Sequence, residues 1–359
     1  MFNILSAVQH PTGFTTLAEC IENGAYAVFP FPEENEYALP QFVLALQNGT
    51  VVGSGAIVTQ DGTLLRDTET YKEDQHRLLI PGCDDIACRN QFFFEGSLAV
   101  ISSPGQQCYY HWLLEVLPRL KALVASGMPY DKIYLDARDV NRRWQFESLY
   151  AVMDYLHISR DRLLLIDDGS VVTAKTLLVP SIIWTPSKGC LWAADLTWFK
   201  AFFNDVFVKK NCVDLPKHIF ISRSKAQYRR ISNEAALIDF LSSKGFVTVY
   251  LEDLSVYDQA ALFSNADVIV GPHGAGFTNL IFCKPGTRII EIDHGIKGEE
   301  QRSFYKYMTK YMQCTYHPFY VGLLEETDAP EIILAPVNQD ITVSIAEFGN
   351  FYHEVFGIN

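Results

Sequence analysis

The residues with the most chemical potential lie in three short stretches. The first is Val270-Gly271-Pro272-His273-Gly274-Ala275-Gly276-Phe277-Thr278-Asn279, which follows an apolar run and opens a helical one. Gly274 and Gly276 let a ligand approach the main chain. The N–H groups at a helix start can hold a phosphate, and His273 adds a donor beside them. A turn that only packs helix against strand would use the same residues. The stretch is neither the dinucleotide G-x-G-x-x-G pattern nor a P-loop, because no Gly-Lys-Ser/Thr follows. The second stretch runs from Ile221-Ser222-Arg223 through Arg229-Arg230-Ile231-Ser232-Asn233-Glu234 and puts Arg223, Lys225, Arg229 and Arg230 within eight residues. Guanidinium forks match phosphate oxygens in a bidentate way, although a solvated basic loop has the same composition. The third is His111-Trp112-Leu113-Leu114-Glu115. Four residues apart on a helix, His111 and Glu115 share a face. A histidine fixed by a carboxylate is a workable general base, and the same pair also serves merely to stabilise a helix. Glu291 ends a strand, where it can accept from a ribose or donor sugar or cap a neighbouring helix.

The elements that must position these residues follow from periodicity. Apolar residues at 109, 112, 113, 116, 117, 120, 123 and 124 are spaced for a helix that Gly127 stops and Pro118 kinks. Strands are predicted at 132–135, 162–166 and 176–179, with a helix over 144–156 and an aromatic-rich helix over 192–208. From Lys217 the alternation is regular: strand 218–222, helix 232–244 capped by Ser232, strand 246–251, helix 255–264 opened by the capping pair Ser255 and Asp258, strand 267–270, a short helix near 277–282 and strand 288–292. That alternation describes βαβ units in a parallel sheet. Nearer the N-terminus, 42–46 and 51–58 read as a β-hairpin about Asn48-Gly49, extended by a turn at Asp61-Gly62. Residues 341–356 read as a helix whose aromatics at 348, 351, 352 and 356 pack back across the molecule.

A chain of 359 residues is long enough for two domains. The expected division is 1–205, an α/β domain with His111 and Glu115, 206–340, a second α/β domain with the basic stretch and the glycine turn, and 341–359, the C-terminal helix. A formal charge of −13 repels nucleic acid and acidic membrane at long range. No signal peptide or membrane-length apolar run is present in the sequence. Eight cysteines (20, 83, 88, 108, 190, 212, 283, 314) occur without C-x-x-C pairs and read as reduced, packed thiols. No metal site is expected. Histidines and cysteines are dispersed, and the acid pairs Asp84-Asp85 and Asp167-Asp168 read as turn residues.

Together the three stretches resemble glycosyltransferase family 61. The matching pieces are His111-Trp-Leu-Leu-Glu115 with Pro118-Arg119, Ile221-Ser-Arg223 through Arg230-Ile-Ser-Asn-Glu234, and Gly271-Pro-His-Gly-Ala-Gly276 ending at Glu291. The resemblance covers roughly residues 95–295. It implies a GT-B architecture, two Rossmann-like α/β domains facing across a cleft. It implies inverting transfer of a sugar from a nucleotide donor, a UDP-sugar, to a hydroxyl of a glycan, lipid-linked or protein acceptor, without a cofactor or catalytic metal. Arg223 and Arg230 would contact the donor diphosphate, with Arg229 beside them. His273, Gly274, Ala275 and Gly276 would bind phosphates or ribose, and His111 or Glu115 would deprotonate the acceptor. Without a targeting segment the chain is similar to bacterial members that act in polysaccharide assembly, in the cytoplasm or at the cytoplasmic face of the membrane. The alternatives are a nucleotide-sugar epimerase or hydrolase, which consumes donor without acceptor, and a binding protein that does no transfer.

Overall fold

The computed structural model describes residues 2–4, 13–15, 43–65, 90–103, 105–138, 140–167, 169–181, 193–208, 214–296, 304–324 and 340–357. Phe42, Asp84, Asp85, Asp168, Trp192 and the cysteines at 20, 83, 88, 190 and 212 lie outside them. Cys108, Cys283 and Cys314 are free thiols. The backbone forms two compact units, Met1–Lys188 and Gly189–Asn359.

The first unit contains β1 (Phe2–Ile4), β2 (Gly13–Thr15), β3 (Val43–Gln47), β4 (Thr50–Val52), β5 (Ala56–Val58), β6 (Thr63–Leu65) and β7 (Gln91–Val100). Next come α1 (Tyr109–His111), a π-helical turn Trp112–Val116 and α2 (Leu117–Ser126), then β8 (Lys132–Asp136), α3 (Arg143–Tyr155), β9 (Leu163–Ile166) and β10 (Val171–Pro180). The sheet order is β2-β6-β5-β4-β10-β7-β8-β9, with β1 on β7 and β3 on β10. β10, β7, β8 and β9 are parallel. Leu44, Leu46, Val51, Leu98, Val100, Tyr134, Val172 and Leu177 form the core over this sheet.

Two local expectations change. β3 and β4 do not form a hairpin about Asn48-Gly49, since both run antiparallel along β10. Asn48 and Gly49 form a bulge that bonds Lys175 O (3.1 Å) and Ala174 N (2.9 Å). Asn-Gly marks a need for positive φ, and a bulge meets that need as well as a turn does; Asn48 has φ 51°. The hairpin lies one step on, between β4 and β5, turning on Gly53 (φ 54°) and Gly55 (φ 110°), and β6 extends it antiparallel. In the first helix, Pro118 follows directly on a π-helical turn that continues into α2 without a break, so the bond its missing N–H would have made falls where the helix is already irregular. The irregularity sits just before it, in the π-helical turn. Gly127 closes the helix at φ 66°.

The second unit contains α4 (Ala193–Phe207), β11 (His218–Ile221), α5 (Glu234–Ser243), β12 (Val247–Val249), α6 (Val256–Asn265), β13 (Val268–Pro272), a 3₁₀ segment Ala275–Phe282, β14 (Arg288–Ile296), α7 (Phe304–Tyr311), β15 (Thr315–Leu324) and α8 (Ile345–Phe356). Its sheet is parallel throughout, in the order β12-β11-β13-β14-β15. The chain steps outward from β11 to β12, then returns to the other side of β11 as β13. In such a sheet the crevice at the carboxyl ends of the two strands flanking the reversal is where ligands bind.

α4 lies in this second unit, and its Phe203 and Phe207 side chains are buried here. Phe203 and Phe207 stack on Phe282 at 6.3 and 6.2 Å, and Phe207 meets Tyr257 at 5.6 Å. Ser255 caps α6 by accepting from Asp258 N at 3.1 Å, as its sequence predicts. Ser232 does not cap α5. Its N–H bonds Ile341 O (2.8 Å), while Asn233 bonds Val343 through both side-chain atoms. Residues 341–343 are thus tied to 231–233, and the last helix starts only at Ile345. That helix packs on its own unit: Phe348 is fully buried and meets Phe240 at 5.9 Å and Phe319 at 5.1 Å. Among the described residues, no helix is long and apolar enough to cross a membrane. Phe348→Ala should destabilise the protein by about 3–5 kcal/mol, measured as a fall in the urea midpoint.

Candidate functional site

In the second unit the two sequence stretches meet at the β11/β13 reversal. A Cβ added to Gly274 would lie 1.9 Å from Nη1 of Arg223, so the guanidinium lies directly against the glycine turn. The φ of Gly274 is 164°, extended backbone open to any residue. What a side chain at 274 would displace is the far end of the flexible Arg223 side chain, so glycine here keeps the guanidinium in place. Gly271 and Gly276 are also closely approached, their added Cβ atoms reaching 3.0 Å from Ile221 Cβ and 2.8 Å from Leu251 Cδ1. Arg223 is aimed by Glu234, the first residue of α5, which accepts from the Arg223 backbone N–H (3.2 Å) and the Ser222 hydroxyl (2.9 Å). The guanidinium also donates to Tyr228 O at 2.9 Å. The segment from Ala275 begins with N–H groups that a helix start leaves without intrahelical acceptors. A guanidinium, a helix start and a close-approach glycine have together the chemistry to hold an anion.

His273 sits at the same edge. Its Nδ1 lies 2.6 Å from Glu291 Oε1 and 3.7 Å from Asp293 Oδ2. Tyr316 donates its hydroxyl to the other Glu291 oxygen, and the Tyr305 ring stacks on the imidazole at 5.5 Å. The Glu291 side chain is 1% exposed and that of His273 26%. Burial pulls the His273 pKa down, but the Glu291 charge, its hydrogen bond and Asp293 outweigh burial and the opposing Arg229 charge, and the net direction is up. Both Glu291 oxygens bond side chains of the protein, Oε1 the imidazole and Oε2 the Tyr316 hydroxyl. Sequence reasoning missed Tyr316, Tyr305 and Asp293. Asp293 was within reach, two residues beyond Glu291 on the same strand.

The remaining cations divide. Arg229 has a left-handed backbone, φ 57°, and its buried Nε has no hydrogen-bond partner. It is close enough for its charge to act on His273. The structure does not bring Arg230 into this group. Its guanidinium pairs with Asp340 at 2.7 Å, and its backbone N–H bonds the same carboxylate at 2.9 Å. It tethers the 340–343 segment. Lys225 pairs with Asp253 on the surface.

In the first unit, His111 Nδ1 lies 2.7 Å from Glu115 Oε1, and Ser103 donates to Glu115 Oε2 at 2.7 Å. The pair spans the junction of α1 and the π-helical turn, an irregularity found often at functional sites. Gly105, at φ 83°, lies against the imidazole, and an added Cβ would stand 2.9 Å from His111 Cδ2. Ser102 and Gln106, on either side of the imidazole's glycine, are held by hydrogen bonds. Arg119 donates to Ser102 O, Gln106 donates to Asp136 O (2.6 Å), and Gln145 donates to Gln106 O (3.1 Å). Arg119 is buried beside Glu115. Burial lowers its pKa to about 10 against the pull of that carboxylate, and it remains a cation at neutral pH. Nδ1 is thus held by Glu115, which fixes the orientation of the ring.

The family model described as Glycosyltransferase 61 matches residues 109–290, a span that includes both His111–Glu115 and the whole glycine turn. The chain is similar to a beta-1,2-xylosyltransferase of Arabidopsis thaliana, 35% identical over 72 residues, 20% of this chain and 13% of that protein. It is also similar to EGF domain-specific O-linked N-acetylglucosamine transferases of Canis lupus familiaris and Bos taurus. Each is 29% identical over 104 residues, 26% of this chain and 20% of the relative. The matched stretches thus span a fifth or less of these relatives' length.

Two outcomes are expected. Gly274→Ala should push the flexible Arg223 head aside, leaving the thermal midpoint nearly unchanged while abolishing stabilisation by nucleoside diphosphates in a thermal-shift assay. Because the His273 pKa is raised, its pairing stabilises the fold in full below about 6.5 and loses that contribution as pH climbs through the raised value. The stability gap between wild type and Glu291→Gln should therefore narrow from pH 6 to pH 9 in denaturant unfolding.

Proposed function

Because the chain belongs to glycosyltransferase family 61, we propose that it is an inverting, metal-independent glycosyltransferase that moves a sugar from a UDP-sugar to an acceptor hydroxyl. The observation that carries this reading is the convergence of Arg223, His273 and the Gly274–Gly276 turn at the strand-order reversal of the second unit. The donor diphosphate occupies that site. Arg223 takes its oxygens in a bidentate grip, and the N–H groups from Gly274 onward take the remainder. As the bond from the anomeric carbon to the diphosphate breaks, negative charge grows on the leaving oxygen. Fixed donors and cations stabilise that charge without a metal ion.

The acceptor hydroxyl attacks the anomeric carbon from the face opposite the nucleotide, which inverts the configuration. His111 accepts its proton at Nε2, and Glu115, held by Ser103, steadies the resulting imidazolium. The names of the relatives make xylose and N-acetylglucosamine the first donor sugars to test. The acceptor is a glycan, a lipid-linked glycan or a protein hydroxyl, and the setting is polysaccharide assembly at or near the cytoplasmic face of a membrane.

The test is nucleotide release from UDP-xylose and UDP-N-acetylglucosamine over a panel of acceptor glycans, with and without EDTA. Acceptor-dependent release that survives EDTA is expected, with His111→Ala lowering kcat about 10²–10⁴-fold and leaving donor affinity unchanged. Release that needs no acceptor would replace this reading with a hydrolase. Activity lost in EDTA and restored by a divalent ion would remove metal independence.

A further inference from the structure

Three neighbouring parallel strands contribute to one connected set of side chains: His273 just after β13, Glu291 within β14 and Tyr316 near the start of β15. His273 Nδ1 bonds Glu291 Oε1 at 2.6 Å, and Tyr316 donates to Glu291 Oε2. The backbone N–H of His273 is also tied to β14, through Ile292 O at 2.8 Å. β14 and β15 pair Ile289 with Tyr316, so Tyr316 reaches Glu291 diagonally across one face of the sheet. A chain of this kind exceeds what phosphate binding requires, because Arg223 and the helix start already supply donors. It supports one thing in particular, a positive charge on His273.

We propose that Tyr316 is a positioning residue that keeps Glu291 an anion, and that His273 is thereby held as the imidazolium that meets the charge of the departing nucleoside diphosphate. This rests on the donor site proposed above. Glu291 is almost completely buried, and a buried carboxylate stays ionised only while its oxygens are bonded. Tyr316 supplies the bond that His273 cannot. If that bond is removed, the anionic form of Glu291 is less favoured and supports the imidazolium less. The other charged and titratable groups around His273 are Asp293, which reinforces Glu291, Arg229, which opposes it, and Tyr305, which stacks on the ring. In the reaction, the pair of electrons from the broken glycosyl bond ends on the terminal phosphate oxygen. The His273 imidazolium, through its Nε2–H, bonds that oxygen while Nδ1 remains on Glu291. Free nucleoside diphosphate carries more negative charge on its terminal phosphate than the same diphosphate esterified to a sugar, so the imidazolium favours the product over the donor.

The experiment is calorimetric titration of UDP and of UDP-N-acetylglucosamine into wild type, Tyr316→Phe and Glu291→Gln from pH 6 to pH 9. In wild type, UDP affinity should fall as pH rises through the titration of His273, and UDP-N-acetylglucosamine affinity should fall less. Tyr316→Phe should move the UDP transition to lower pH and cost about tenfold in UDP affinity at pH 7.5, the size of one hydrogen bond to a charged group. Donor affinity should change little. Glu291→Gln should move the same transition further, and it carries the test if Tyr316→Phe fails to fold. A transition at unchanged pH in both folded variants, or an equal loss for UDP and UDP-N-acetylglucosamine, would overturn the role of Tyr316 and leave the donor site standing. Failure of wild type to bind either nucleotide would remove the donor site and this inference together.

Discussion

The Arg223 guanidinium occupies the place where any residue but glycine at 274 would carry its Cβ. Much of the second unit serves that one close approach. It requires β11 and β13 to be neighbours, which follows from the reversal of strand order. It requires the exit from β11 to be fixed, which Glu234 accomplishes from the first turn of α5. It also requires the turn after β13 to lie tight against its surroundings, which the confinement of Gly271 and Gly276 reflects. The hydrophobic core beneath, from Phe220 and Val270 to Phe348, keeps these strand ends in register. The resulting arrangement sets a cation directly against a glycine turn and a helix start, a combination that suits an anion.

The two units share a second device. In each, a histidine places Nδ1 against a buried glutamate, and a hydroxyl takes the other carboxylate oxygen: Ser103 for Glu115 and Tyr316 for Glu291. An ionised carboxylate taken out of water is costly unless its oxygens are bonded, and both pairs meet that condition. The consequence is chemical as well as energetic. With Nδ1 committed, the carboxylate fixes the orientation of each ring. In the proposed reaction one such histidine removes a proton from the acceptor and the other meets the charge on the leaving group. Their surroundings fit this division. His273 has two carboxylates within 4 Å and a raised pKa, whereas the Glu115 beside His111 shares its charge with buried Arg119.

Much of this was legible in the sequence, where physics acts over short distances. The βαβ alternation after Lys217, the Ser255 cap and the glycine turn all stand as their residues suggest. Asn48-Gly49 correctly announced positive φ and wrongly announced a hairpin, because the partner strand that makes it a bulge lies about 125 residues away on β10. β15 escaped notice because Pro318 breaks a strand pattern. On an edge strand its missing N–H leaves no ladder bond unmade on the open side. Tyr316 was hidden with it. β7 escaped because Gly96 interrupts it, where an added Cβ would stand 2.3 Å from Asp131 Oδ2. Arg230 looked like a phosphate ligand from its neighbours, and its pairing with Asp340, 110 positions on, could not be read from local spacing.

The most direct test of the central claim is hydrogen–deuterium exchange with and without UDP in the presence of EDTA. A diphosphate held at the strand reversal should protect the backbone amides of 223–230 and of 273–278, and Arg223→Ala should erase both patches together. Protection confined to the first unit, or binding by Arg223→Ala that leaves the 273–278 amides protected as in wild type, would contradict it.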